Sequence, residues 1–145
     1  MILFLDFDGV LHPVSGAPTF NPDSIRELET VLQLFPTLKI VITSSWREEK
    51  SLDEMIALLG PELGKRVIGT TPIIDDPFLH FPRYREVCAY LDTATEGDKS
   101  WVALDDEAGN YPKDIPVVLI DRRTGFTSLD RERLISVIKK LGTCL

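Results

Sequence analysis

Three short apolar runs, each ending abruptly in polar residues, constrain this chain more than any other feature. Ile2–Leu5 ends in Asp6, Leu38–Ile42 ends in Thr43-Ser44-Ser45, and Trp101–Leu104 ends in Asp105-Asp106. Short β-prone runs with little polar alternation are strands buried on both faces. Segments of helical periodicity lie between them. Asn21-Pro22-Asp23 has the form of a helix start, and Ile25, Leu28, Val31, Leu32 and Phe35 then recur at helical spacing. A second helix is expected over Ser51–Leu59, stopped by Gly60-Pro61, and a short strand over Arg66–Ile68. Thr70–Pro82 holds three prolines and is expected to be loop; Arg83–Leu91 is helical, Val117–Ile120 is a strand, and Leu129–Leu141 a closing helix. Strands alternating with helices from end to end predict an α/β fold, a three-layer sandwich around a mainly parallel, Rossmann-like sheet of about five strands.

The 145 residues suit one domain spanning 1–145, large enough to bury a core without disulfides or structural metal. Cys88 and Cys144 lie far apart, form no metal-ligand spacing and are expected to be reduced thiols. An aspartate stands too early in MILFLDFD for a signal-peptide apolar region, and no apolar run approaches the ~20 residues of a membrane helix. A cytoplasmic protein without a membrane partner is the expectation. The net charge of −7 argues against broad, non-specific nucleic-acid binding and leaves room for a local basic site. The chain contains no internal repeat and no linker that would mark a second domain.

The carboxyl ends of parallel strands form one rim, where ligands bind. Asp6 and Asp8, Thr43 and Ser44, and Asp105 and Asp106 are therefore expected to converge. Four carboxylates in one crevice repel one another unless a cation neutralises them, and hard oxygen ligands of this kind suit Mg²⁺.

These segments resemble the motifs of the haloacid dehalogenase (HAD) superfamily. Leu-Asp6-Phe-Asp8-Gly-Val-Leu is similar to its first motif, Ile40-Val-Ile-Thr43-Ser44 to its second and Val102-Ala-Leu-Asp105-Asp106 to its fourth. The third is a Lys or Arg upstream of the fourth, for which Arg83 and Arg85 both qualify. The resemblance spans nearly the whole chain. It implies a phosphohydrolase in which Asp6 is the nucleophile, Asp8 the general acid and base, Thr43 a phosphate ligand, and Arg83 or Arg85 the cation that offsets charge. It implies Mg²⁺ held by Asp6, by Asp8 through its backbone carbonyl, and by an acid of the Asp105-Asp106 pair. There are two departures: Arg stands where Lys is commoner, and Asn110 where many relatives carry a further acid.

His12 and Arg47 follow motif strands closely and are expected substrate contacts, with Ser44 and Arg85 as further candidates. Trp46 is expected to pack, and Asp75-Asp76 is a turn signal without chemistry. Larger relatives insert a cap domain after the first motif or between the second and third; both intervals are short here. The resemblance is closest in texture to small capless HAD domains of nucleic-acid end-repair phosphatases, which implies an open site and a phosphorylated, macromolecular substrate such as a nucleic-acid end or a phosphoprotein. Two rivals stand beside this reading. One is a non-catalytic phosphate-binding or protein-interaction module on the same fold. The other is a receiver domain, which requires an acceptor Asp at the end of the Arg66–Ile68 strand that this chain lacks. The sequence leaves the oligomeric state open.

Overall fold

The computed structural model describes residues 1–94 and 100–142; Cys144 lies outside them. Five parallel strands form one sheet in the order β3-β2-β1-β4-β5, where β1 is Ile2–Leu5, β2 Lys39–Ile42, β3 Val67–Thr70, β4 Trp101–Asp105 and β5 Val117–Leu119. Four helices accompany them: α1 (Pro22–Leu34), α2 (Leu52–Gly64), α3 (Pro82–Thr93) and α4 (Ser128–Gly142). The expected α/β sandwich is present, and no cap stands between β1 and α1 or between β2 and α3. Among the described residues, no helix is long and apolar enough to cross a membrane.

Alternation along the central strand distributes the layers. Leu3, Leu5 and Phe7 face one side and pack with Leu28 and Val31 of α1, Met55 and Leu59 of α2, and Leu134 and Ile138 of α4. Ile2 and Phe4 face the other side, against Val87 of α3 and Tyr111. Three helices thus cover one face and α3 covers the other. Because β1 and its neighbours are buried on both faces, their sequences are continuous apolar runs.

The helix starts follow from local chemistry. Asn21 caps α1 by accepting from the Asp23 N–H at 2.9 Å, with Pro22 in the first turn. Ser51 and Glu54 form a reciprocal capping box at the start of α2. Gly60-Pro61 interrupts α2 where the stop was expected. Gly60 takes φ 85° and ψ 170°, outside the helical region, and a further short turn then runs to Gly64. Pro61 lacks an N–H and suits the first position of that turn, so the chain re-enters helix after the break. Two short 3-10 turns, at Ser45–Glu48 and Ala108–Asn110, also lie outside the expected elements.

Arg66, between α2 and β3, ties the amino end of the sheet to the end of α1. Its guanidinium donates to the carbonyl of Leu32 (3.0 Å), in the last turn of α1, and to those of Phe35 (3.1 Å) and Leu38 (3.0 Å), which follow it. Arg66→Ala is expected to cost roughly 2–3 kcal/mol, the scale of hydrogen bonds to a charged group. Urea denaturation with an unchanged m-value checks this.

Candidate active site

Strand register builds the site. Leu5 of β1 is paired with Ile42 of β2 and with Leu104 of β4. The next residue in each case is Asp6, Thr43 and Asp105. The Thr43 N–H donates to the Leu5 carbonyl at 2.9 Å, and the Asp6 N–H to the Leu104 carbonyl at 3.3 Å. The three therefore stand at one level on the rim. They flank the point where the connection from β3 crosses to β4 on the far side of β1, the usual crevice of such sheets.

Carboxylate oxygens of Asp6, Asp105 and Asp106 all lie within 4.8 Å of one another. Asp6 and Asp105 are buried. Burial first, and then the charge of Asp105, hold the Asp6 carboxyl well above the ordinary carboxylate range, against the lowering effect of the Phe7 N–H that donates to its Oδ1 at 2.8 Å. Burial likewise raises Asp105 to about 6, although the Glu107 N–H (2.8 Å) and the Asn110 amide favour its charged form. Asn110 Nδ2 lies 3.3 and 3.2 Å from the two Asp105 oxygens, so the residue standing where a further acid was expected holds an acid in place. Gly9 is required beneath Asp106. Its φ is +74°, and a Cβ there would sit 2.2 Å from Asp106 Oδ2. Arg122 approaches Asp106 from the solvent side at 3.4 Å.

Of the two candidate arginines, Arg83 turns to the acids and Arg85 is exposed. Arg83 lies in the first turn of α3, where side chains point back over the helix start. The preceding Phe81 takes a left-handed φ of 54° and caps nothing. Burial alone would lower the Arg83 pKa, but the bond to Glu86 and the charges of Asp6 and Asp105 raise it. Glu86, absent from the expected site, is the hub of this side. Its Oε1 accepts from Arg83 Nη1 at 2.8 Å, its Oε2 accepts from Arg47 Nη2, and the Ile74 N–H lies 3.4 Å from the same oxygen.

Arg47 is a correction. It was expected at the substrate, but it is a buried clamp. Nε donates to Thr71 O (3.1 Å), Nη1 to Thr43 O (2.6 Å) and Ser44 O (3.0 Å), and Nη2 to Pro72 O (3.4 Å) and Glu86. Its fork of N–H groups is spent on the protein, leaving no donor for a ligand. The reason is the 3-10 turn after β2, which folds the side chain under the strand end. Ser44 is also occupied: its buried Oγ accepts from the Trp46 N–H at 3.2 Å and caps that turn. Thr43 is different. Its hydroxyl is buried and has no hydrogen-bond partner, a cost that a phosphate oxygen would relieve.

Asp8 stands apart from the acid cluster. Its Oδ1 is 2.7 Å from His12 Nε2, and both its oxygens are 3.1 Å from Trp46 Nε1. His12 is the second correction: it is buried, and Nδ1 faces the Pro13 carbonyl at 2.7 Å. Both ring nitrogens are engaged within the protein, with Nε2 on Asp8. Trp46 packs as expected, against Phe7 and Phe20, and adds an indole hydrogen bond. Tyr111 was missed. Its buried hydroxyl has no partner, and burial followed by the charges of Asp105 and Asp6 pushes the phenol well above its ordinary value. The signal in the sequence was only that an aromatic follows Asn110 at the strand-end loop.

Crowded hard oxygens with raised pKa values are the donor set a small divalent cation would relieve, so the residues fit Mg²⁺. In metal-free protein, Asp105 binds more protons folded than unfolded between the ordinary carboxylate value and about 6. Its contribution is therefore intact at lower pH and is lost as pH rises through that window. Asp105→Asn is expected to stabilise chelated protein at pH 7, by on the order of 2–3 kcal/mol, and to make no such difference at pH 4. Mg²⁺ should raise the wild-type Tm at pH 7 and leave the variant's nearly unchanged. Thermal melts at both pH values check this. Glu86→Gln leaves two arginines without their shared carboxylate and is expected to cost about 3–5 kcal/mol in a denaturant titration.

A family model described as the HAD domain in Swiss Army Knife RNA repair proteins matches residues 2–130. Searches of curated proteins and of solved structures give no match. The match runs from the first residue of β1 into α4, and so takes in every strand and every acid of the cluster. The chain belongs to this family of small HAD-type domains.

Proposed function

We propose that the chain is a Mg²⁺-dependent phosphomonoesterase that forms an aspartyl-phosphate on Asp6 and takes its phosphate from the end of an RNA strand. The observation that carries the chemistry is the convergence of Asp6, Asp105 and Asp106 within 4.8 Å beside the unpartnered Thr43 hydroxyl and Arg83. The RNA end is supported by the description of the family, whose members are domains of RNA repair proteins.

The Phe7 N–H fixes Asp6 Oδ1, and the second carboxylate oxygen attacks phosphorus in line. The bond from phosphorus to the leaving oxygen breaks as Asp8 delivers a proton to that oxygen. Thr43 and Arg83 hold the phosphoryl oxygens through hydrogen bonding and charge. A water then attacks phosphorus, gives its proton to Asp8, and releases inorganic phosphate and free Asp6. Asp6, the Asp105-Asp106 pair and the Asp8 carbonyl would hold Mg²⁺, which would supply charge neutralisation between the carboxylates and the anionic substrate.

The open rim supports a large substrate. Without a cap nothing encloses a small ligand, and enclosure is what buries most of its surface. The loop between β3 and α3 exposes Ile73 and Phe78, the latter 86% accessible, beside the helix that carries Arg83. An exposed aromatic ring such as Phe78 gives a base something to stack on.

Asp6→Asn is expected to lower kcat by at least ~10³-fold with the fold retained, and chelation is expected to abolish turnover until Mg²⁺ is returned. The test of substrate class is kcat/KM on RNA oligonucleotides phosphorylated at either end, against phosphopeptides and small metabolites. The expected order puts an RNA end first by at least about tenfold. A strong preference for one small metabolite contradicts the reading.

A further inference from the structure

Asp8 presents a problem that the acid cluster does not. Its side chain is 45% exposed, and no cap covers it. An exposed aspartate samples several rotamers, whereas a proton donor has to meet the leaving oxygen within hydrogen-bond reach. Three features of the rim remove that freedom. The Trp46 indole N–H bonds Asp8 in a forked geometry, 3.1 Å to each oxygen. His12 Nε2 lies 2.7 Å from Oδ1. The backbones of Asp8 and His12 form an isolated bridge, which fixes the turn that joins them.

The two partners are themselves held. The Pro13 carbonyl can only accept, so His12 Nδ1 carries a proton and donates it there at 2.7 Å, which sets the ring plane. The ring stacks on Phe20, with centroids 6.4 Å apart and planes 21° apart. Trp46 stacks on Phe20 at 5.2 Å and meets Phe7 edge-on at 5.3 Å. Phe7 is wholly buried in the core behind the strand. An exposed acid is thus tied through two aromatic side chains to the rigid interior.

We propose that His12 and Trp46 are positioning residues that lock the Asp8 carboxyl in the one orientation from which it serves the leaving group, in place of the restraint a cap would give. This rests on the phosphatase reading for what Asp8 does. It goes beyond that reading in assigning the precision of the proton transfer to two residues outside the nucleophile–metal set.

The test uses a series of substituted phenyl phosphates, similar in shape and graded in how much their leaving oxygen needs a proton. The readout is kcat/KM, which covers only the steps through departure of the leaving group and not the later hydrolysis that also uses Asp8. In Trp46→Phe, which keeps a ring against Phe7 and Phe20, and in His12→Ala, kcat/KM on phenyl phosphate is expected to fall by about tenfold or more, within the range general acid–base catalysis supplies. On dinitrophenyl phosphate the loss in kcat/KM is expected to stay within about threefold, because that leaving group departs unprotonated. His12→Gln, which restores an amide nitrogen, should recover part of the loss. Equal losses across the series would mean that the two residues only support the fold, and would overturn the proposal. A second readout is independent of turnover. The Trp46 Nε1–H resonance, identified by its absence in Trp46→Phe, is expected to be protected from solvent exchange and to lose that protection in Asp8→Ala. An unprotected indole N–H in the wild type overturns the clamp even if the protein is a phosphatase. Wild-type protein that hydrolyses no phosphomonoester defeats the phosphatase reading and with it the catalytic role given to the clamp.

Discussion

Parallel register is the constraint on which the rest of this structure depends. Pairing Leu5 with both Ile42 and Leu104 makes the next residues, Asp6, Thr43 and Asp105, neighbours at the carboxyl end of three strands whose preceding residues are apolar core. The apolar strands fix the register, since a slip by one residue would turn each side chain to the opposite layer. The core therefore forces carboxylates together that would otherwise separate. Burial first, and then the neighbouring carboxylates, raise the pKa values of Asp6 and Asp105. The surrounding groups answer it locally: the Phe7 N–H at Asp6, Asn110 at Asp105, Arg122 at Asp106, and Gly9, whose missing side chain makes room for Asp106.

A second charged layer sits beside the first. Glu86 joins Arg83, which faces the acids, to Arg47, whose donors hold the Thr43, Ser44, Thr71 and Pro72 carbonyls. Arg47 thus links the end of β2 to the segment after β3, and Glu86 links both to α3. Burying such a network contributes little net stability, but removing one member strands the others. Its effect is to fix Arg83 relative to Thr43, two residues on different elements that meet only at the rim. The same logic governs Asp8, fixed by His12 and Trp46 on the opposite side.

Much of this was legible in the sequence because it follows from period and polarity. The strands announce themselves as apolar runs, and their polar ends name the rim residues Asp6, Thr43 and Asp105. Arg83 and Arg85 both qualified by position; helix geometry separates them, since a first-turn side chain points back toward the rim. What the sequence did not disclose depends on side-chain direction after irregular backbone. Arg47 and His12 looked like substrate contacts because they follow motif strands; a 3-10 turn carries Arg47 inward, and a tight turn returns His12 to Asp8. Glu86 belongs to no motif, and nothing in its spacing reveals that two arginines converge on it. Gly60-Pro61 carries a helix-stop signature, yet the chain resumes its helix because proline suits a first turn as well as it ends a last one.

The central claim is that this rim makes Asp6 a nucleophile. The most direct measurement is to quench the protein in acid during turnover, reduce it with borohydride and sequence the peptides by mass spectrometry. An acyl phosphate on Asp6 is reduced to homoserine, so the account predicts that conversion at position 6, dependent on Mg²⁺ and on substrate. Conversion at Asp105 or Asp106, or turnover with no residue converted, would contradict it.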